Sequence, residues 1–307
     1  MTEKSIPLVC ILGPTAAGKT RLAVCLAAAF PGEVISADSR QVYRYMDLGT
    51  GKDLSDYVVD GKTIPYHLID IADPGYEYNL YEYKTDCVAA IRDVHSRGLM
   101  PVLCGGTGLY LSAILQNYEL RSAAPDTGRR AELESMSADR LAVELRSRVK
   151  LHNTTDTTDR RRLIRAIEIA EAAPDAHAPS VSTDAHIFGM QWEREVLLER
   201  ISRRLAQRLD QGLIDEVRSL LAGGLTPEQL KFYGLEYRYV TEYVCGETSR
   251  ERMFELLNRA IGKFAKRQRT WFRRMQRQGV SIHWLDGRLP PEQHVRQILG
   301  RLACSTS

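Results

Sequence analysis

The stretch Gly13-Pro14-Thr15-Ala16-Ala17-Gly18-Lys19-Thr20 fits the pattern G-x-x-x-x-G-K-[ST] and constrains the chain more than any other. Glycines at the two ends let backbone N–H groups curl around phosphate oxygens with no Cβ in the way. Lys19 adds a point charge to the terminal phosphate, and the Thr20 hydroxyl can hold a magnesium ion. A helix starting here aims its positive end at the anion. The flanks agree: 7–12 reads as a short buried strand and 21–27 as a helix of good formers. Strand, Gly-rich loop and helix predict a parallel α/β core that binds a di- or triphosphate. They leave open what is done with it.

At 307 residues with 44% hydrophobic content, the chain can build one large domain with an insertion, or two domains. With no 18-residue apolar run and no charged-then-apolar leader, neither a membrane span nor a signal peptide is expected. Cys10, Cys25, Cys87, Cys104, Cys245 and Cys304 are scattered without a C-x-x-C. That favours reduced thiols in a cytoplasmic protein over structural zinc. Charge is uneven: residues 1–121 carry a net −3 and the remainder a net +6. The positive excess lies away from the phosphate loop and suggests a polyanionic partner.

After the first helix, 33–36 forms a strand that runs into Ala37-Asp38-Ser39-Arg40-Gln41. Ligands of open parallel sheets sit beyond the carboxyl ends of strands. If the first two strands are neighbours, Asp38 lies beside the phosphate loop as a proton acceptor or metal-binding group; a turn or N-cap role is equally open. Residues 46–52 read as a mobile loop in which Lys52 is an exposed lysine or, less favoured, a second phosphate ligand. Residues 65–71 read as the next strand, with Asp70 weakly suggestive of a Walker-B carboxylate. A helix over 80–97, ended by Gly98, precedes a strand at 100–104 that opens into Gly105-Gly106-Thr107-Gly108. Glycines so placed mean a tight turn or a close approach of backbone to something, and the shared sheet edge favours a ligand.

From about residue 121 the texture turns helical, with two or three helices over 126–173 and several arginines along 159–168. A linker is expected at 174–182 and a strand returning to the sheet at 186–192. A long helix over 193–211 carries Arg194, Arg200, Arg203, Arg204 and Arg208; another covers 213–221, followed by an aromatic turn at 232–237. Residues 256–278 hold eight basic residues and no acid, interleaved with Phe264, Trp271 and Phe272. A helix there has an aromatic face and a cationic face, suited to a nucleic-acid backbone or to pyrophosphate. A strand over 280–285 and a short helix close the chain.

These segments together resemble the tRNA dimethylallyltransferase (isopentenyltransferase) family from about residue 8 to 285. The resemblance is carried by 13–20, 36–43, Gly49-Thr50-Gly51-Lys52, His67-Leu68-Ile69-Asp70, Gly105 to Tyr110, and Ala265 to Trp271. It implies transfer of a dimethylallyl group from dimethylallyl diphosphate to N6 of adenosine 37 in tRNA, with magnesium. It also implies a P-loop kinase-like parallel core (1–121 and 186–307, with C-terminal helices) and a mostly helical tRNA-binding insertion (122–185). Gly13, Thr15, Ala16, Ala17, Gly18, Lys19, Thr20 and Arg204 would hold the diphosphate, with magnesium on Thr20. Lys19 and Arg204 would stabilise charge on the leaving group, Thr15 would lie near it, and Asp38 would take the N6 proton. Asp38, Ser39, Arg40, Gln41, Thr107, Arg161, Arg162, Arg165, Lys231, Gly234, Lys266 and Arg267 fall on segments that touch the tRNA anticodon stem-loop in the family. The target base would be extruded from its stack.

The chain departs from the family pattern twice. Tyr233-Gly234-Leu235-Glu236-Tyr237 stands where Ile-Gly-Tyr-(Lys/Arg)-Glu is usual, and Ile261-Gly262 where Thr-Arg is usual. The eukaryotic relatives' C-terminal zinc finger has no counterpart, which favours a bacterial-type cytoplasmic enzyme; a monomer is expected. Rival readings are an isopentenyltransferase acting on free AMP, ADP or ATP, a P-loop small-molecule kinase, and an RNA-binding protein with a relic phosphate loop.

Overall fold

The computed structural model describes residues 5–121, 126–148, 159–172 and 177–305. The side chain of Arg161 and residues 174–176 of the expected linker lie outside the described residues. The chain divides into two compact units, one of residues 1–117 and 180–307 and one of 118–179.

The larger unit opens with β1 (Ile6–Leu12), α1 (Lys19–Ala29) and β2 (Gly32–Ala37). A two-residue hairpin, β3 (Val58–Val59) and β4 (Lys62–Thr63), precedes β5 (Tyr66–His67), α2 (Leu80–Ser96), β6 (Met100–Gly105) and α3 (Gly108–Leu115). The smaller unit holds α4 (Thr127–Ser135), α5 (Ala138–Arg148) and α6 (Arg160–Glu171). It has its own core, in which Leu163, Ile164 and Ile167 pack on Leu133, Leu141 and Leu145. The larger unit resumes with β7 (Thr183–Gln191), α7 (Arg194–Asp210), α8 (Leu213–Ala222), α9 (Pro227–Phe232) and α10 (Leu235–Val244). It ends with α11 (Arg250–Arg277), β8 (His283–Asp286) and α12 (Pro291–Ser305).

Six strands form one parallel sheet in the order β5-β2-β6-β1-β7-β8. Both faces are covered, as parallel sheets require. Leu8, Cys10 and Leu12 face α2, α3 and the end of α11, while Val9 and Ile11 face α1 and α12. A third core joins α7 to α11 among themselves. α11 buries Met253, Leu257, Ile261, Ala265, Gln268, Phe272 and Met275, steps of three and four that make one continuous stripe.

Four expectations change. β2 and β1 are not neighbours, because β6 lies between them. The strand expected over 65–71 shrinks to Tyr66–His67, since Leu68 and Asp70 take positive φ and leave the extended region. The aromatic turn at 232–237 is the joint between α9 and α10. Residues 183–185, expected in the insertion, pair with β1 as the start of β7.

Candidate functional site

Register places the site. Leu12 pairs with Gly105 and Ala37 also pairs with Gly105, so β1, β6 and β2 end level. The loops 13–20, 105–108 and 38–41 therefore leave one sheet edge together, and one strand between β1 and β2 separates them by roughly 10 Å. They open on a cleft of about 610 Å³, a volume suited to a small-molecule ligand. Thr15, Lys19, Thr20, Asp38, Arg204, Arg208 and Glu236 line it, and Ile261, Phe264, Arg267, Gln268 and Trp271 of α11 close one side.

The phosphate loop is held from outside. Trp192 Nε1 donates to the Ala17 carbonyl (3.0 Å), and Arg200 Nε donates to the Ala16 carbonyl (2.9 Å). The Arg200 guanidinium also stacks on the Trp192 ring at 4.1 Å. From inside, Gln268 of α11 accepts the Thr15 N–H (2.8 Å) and donates to the Gly106 carbonyl (2.8 Å). One side chain thus ties both glycine-bearing loops to α11. Gly106 and Gly108 are required here by close approach. A Cβ on Gly106 would run into Gln268 Nε2, and one on Gly108 into the Trp271 ring. The glycines of this loop serve helix packing as well as facing the cleft.

Lys19 Nζ donates to the Pro14 carbonyl (2.9 Å). Burial, and next the Arg204 charge among the groups that lower it, bring its pKa down to about 8, partly offset by Cys104, Asp38 and Asp53. Asp38 uses Oδ1 to accept the Arg40 N–H (2.9 Å), so it is a turn residue and a cleft carboxylate at once. Thr107 Oγ1 accepts the Ser39 N–H at 3.0 Å. Gln41 lines the cleft and donates to the Gly51 carbonyl. Glu236 is a second carboxylate in the cleft; burial raises its pKa against the pull of Arg208 and Arg204.

The loop over 46–53 is firmly anchored. Glu216 of α8 accepts N–H donors from Asp47, Leu48 and Gly49 and the Tyr237 hydroxyl. Lys52, expected to be exposed, is fully buried and bonds Asp47, Asp70 and the Tyr43 carbonyl. Neither it nor Asp70, which serves as its counter-ion, is among the cleft-lining residues. A buried ammonium needs such partners, and the sequence does not display them.

Several other expected residues gather at the cleft: Arg40, Lys231, Gly234 and Arg267 line it, Arg40 over the Phe232 ring at 5.4 Å and Lys231 paired with Glu247 at 3.0 Å. Gly13, Ala16 and Ala17 are not among the cleft-lining residues: Gly13 packs against Met190, and Ala16 and Ala17 are buried in the hydrophobic cores while their carbonyls accept from Arg200 and Trp192. Lys266 lies on the other side of α11, in a groove shared with α7. Arg162 pairs with Asp159 and Arg165 with Glu168, all within α6 or its N-terminal flank. No motif marks Arg208, which lines the cleft, or Asp53, which it bonds. The available signal was spacing, because Arg200, Arg204 and Arg208 repeat at four residues and share one helix face. Among the described residues no cluster of three His, Cys, Asp or Glu side chains could cage a metal. Thr20 lines the cleft, and its hydroxyl is the kind of oxygen donor that a magnesium ion shared with ligand oxygens takes.

A phosphate-binding loop at the end of a central parallel strand, faced by a carboxylate and paired arginines, defines a P-loop α/β protein of the nucleotide-kinase type. The chain belongs to the IPP transferase family, which it matches over residues 41–275. It is 49% identical to tRNA dimethylallyltransferase 2 of Bacteroides fragilis, over 98% of this chain and 99% of that protein. It is 52% identical to tRNA dimethylallyltransferase 2 of Syntrophotalea carbinolica, over 95% and 98%. Among solved structures, the tRNA isopentenylpyrophosphate transferase of Bacillus halodurans superposes with a TM-score of 0.70 at 33% identity, covering 97% of this chain and 96% of that one. A eukaryotic dimethylallyltransferase acting on tRNA superposes at 0.73 with 25% identity, covering 92% and 74%.

Proposed function

We propose that this protein transfers a dimethylallyl group from dimethylallyl diphosphate to N6 of adenosine 37 in the tRNA anticodon stem-loop, releasing diphosphate. The observation that carries this is the single cleft shared by the phosphate loop, Asp38 and Arg204. Thr15, Lys19 and Arg204 bind the diphosphate and stabilise the charge it gains as its C–O bond breaks. Thr20 would hold magnesium, which supplies further positive charge to that leaving group. Asp38, across the cleft, takes the proton from the attacking amine. The exposed aromatic rim of Phe232 and Phe264 suits an extruded base and its neighbours. Arg40, Ser39, Gln41, Thr107, Lys231, Gly234 and Arg267 contact the RNA at the cleft, with Lys266 on the outer side of α11 and Arg161, Arg162 and Arg165 from the 118–179 unit.

The test is incubation with labelled dimethylallyl diphosphate and, separately, tRNA, AMP or ATP. Label on tRNA is expected. Label on free nucleotide alone would instead favour the adenylate-directed reading, and phosphoryl transfer from ATP the kinase reading.

A further inference from the structure

The helix face that carries Arg204 carries a second guanidinium. Arg208 lines the same cleft, is almost fully buried, and has an Nε with no hydrogen-bond partner. Two cations one turn apart repel, and burial together with Arg208 pushes the Arg204 pKa down. One anion holds them in place. Asp53 Oδ2 accepts from Arg204 at 2.9 Å and from Arg208 at 3.3 Å, the latter also reaching Oδ1 at 3.4 Å. Asp53 itself stays outside the cleft lining.

The backbone that presents Asp53 is fixed. Asp53 has φ of 45°, in the left-handed region that Asp tolerates. The residues before it are pinned by Glu216, Gln41 and buried Lys52. Gly51 leaves room for the arginines: a Cβ there would collide with both Arg208 and Arg204. A loop so constrained can aim a carboxylate at two guanidinium groups with little residual motion. Most other paired arginines on α7 and α8 bond neighbours on their own helix, as Arg203 does with Glu199 and Arg218 with Asp215. The Asp53 pairs instead span 151 and 155 residues.

We propose that Arg208 is a second diphosphate-binding cation and that Asp53 is the positioning residue that sets both arginines toward the phosphate loop. This rests on the reading above, that a diphosphate is the leaving group. Two roles of Asp53 separate by substitution. Asp53→Asn keeps an acceptor and removes the charge. Asp53→Ala removes both.

The experiment is steady-state transfer with each substrate varied, plus calorimetric titration of the full chain with inorganic pyrophosphate. Arg208→Gln is expected to raise KM for dimethylallyl diphosphate and weaken pyrophosphate binding about tenfold or more, leaving KM for tRNA unchanged; Arg208→Lys should recover part of this. Asp53→Ala should lower kcat about tenfold while Asp53→Asn stays within a fewfold of the parent. If Arg208→Gln binds pyrophosphate like the parent, or Asp53→Ala and Asp53→Asn behave alike, the inference is overturned. If instead the parent binds pyrophosphate but transfers no label to tRNA, the proposed function fails.

Discussion

Asp38 commits one carboxylate oxygen to the Arg40 N–H and lines the same cleft as Lys19. Asp38→Asn keeps the turn's acceptor and removes the carboxylate proposed to take the N6 proton. Its kcat for transfer is expected to fall about 10²–10⁴-fold, with pyrophosphate affinity by calorimetry unchanged; turnover near the parent's would remove Asp38 from the chemistry. Lys19 gives a pH prediction. Its pKa is lowered to about 8, so the ammonium is present below that pH and lost above it. A diphosphate binds the charged form. Affinity for dimethylallyl diphosphate is therefore steady below about pH 8 and falls above it, by at most tenfold per unit, and Lys19→Met should abolish the inflection. Lys19 is legible from the motif and Asp38 from its place just past a strand end, although the adjacency of β1 and β2 that first pointed to it does not hold. Lys52 was not, because its burial depends on Asp47, Asp70 and Tyr43 meeting in space.

At the scale of elements, α11 sets the site by reaching into two loops with one side chain. Gln268→Ala would leave the Thr15 N–H and the Gly106 carbonyl without partners in a closely packed joint. A stability loss of about 1–3 kcal/mol in urea denaturation is expected, together with a lower kcat. The motif around Gln268 was visible as a string, but its partners are 253 and 162 residues away. A second joint lies away from the cleft, where β2 meets β5 and α2. Glu33 is held down to about 2 by hydrogen bonds from Arg97 and His67. Since the folded value lies below the ordinary carboxylate value, its stabilisation is complete above about pH 4.5 and is lost as pH falls toward 2. With Arg97 partly exposed, about 1–2 kcal/mol is expected. Melting curves of Glu33→Gln should lose that share of acid sensitivity.

At the scale of the whole molecule, charge is distributed by partner. Most described arginines of the 118–179 unit pair with its own acids, as Arg129 does with Glu132, Glu144 and Glu171. Residues 256–278 carry eight cations and no acid. An RNA substrate held along such a helix releases counter-ions, so KM for tRNA should rise about tenfold or more between roughly 50 and 200 mM salt. KM for dimethylallyl diphosphate should move far less. Arg267→Gln, on the cleft side, should lower the log–log slope by about one, and Lys266→Gln, on the outer side, by less. A flat salt response would count against RNA as the partner.

The sequence by itself determined the phosphate loop, the parallel α/β core, the long helices and the carboxylate after the second strand. Each is a local pattern whose physics lies within a few residues: backbone N–H groups at a helix start, apolar period, a strand end. The tertiary structure alone decided that β6 separates β1 from β2, that Lys52 is buried, that Gln268 joins two loops, and that Asp53 orients Arg204 and Arg208. Those depend on which distant segments are brought within hydrogen-bond reach, and burial makes such partners obligatory without marking them in the chain.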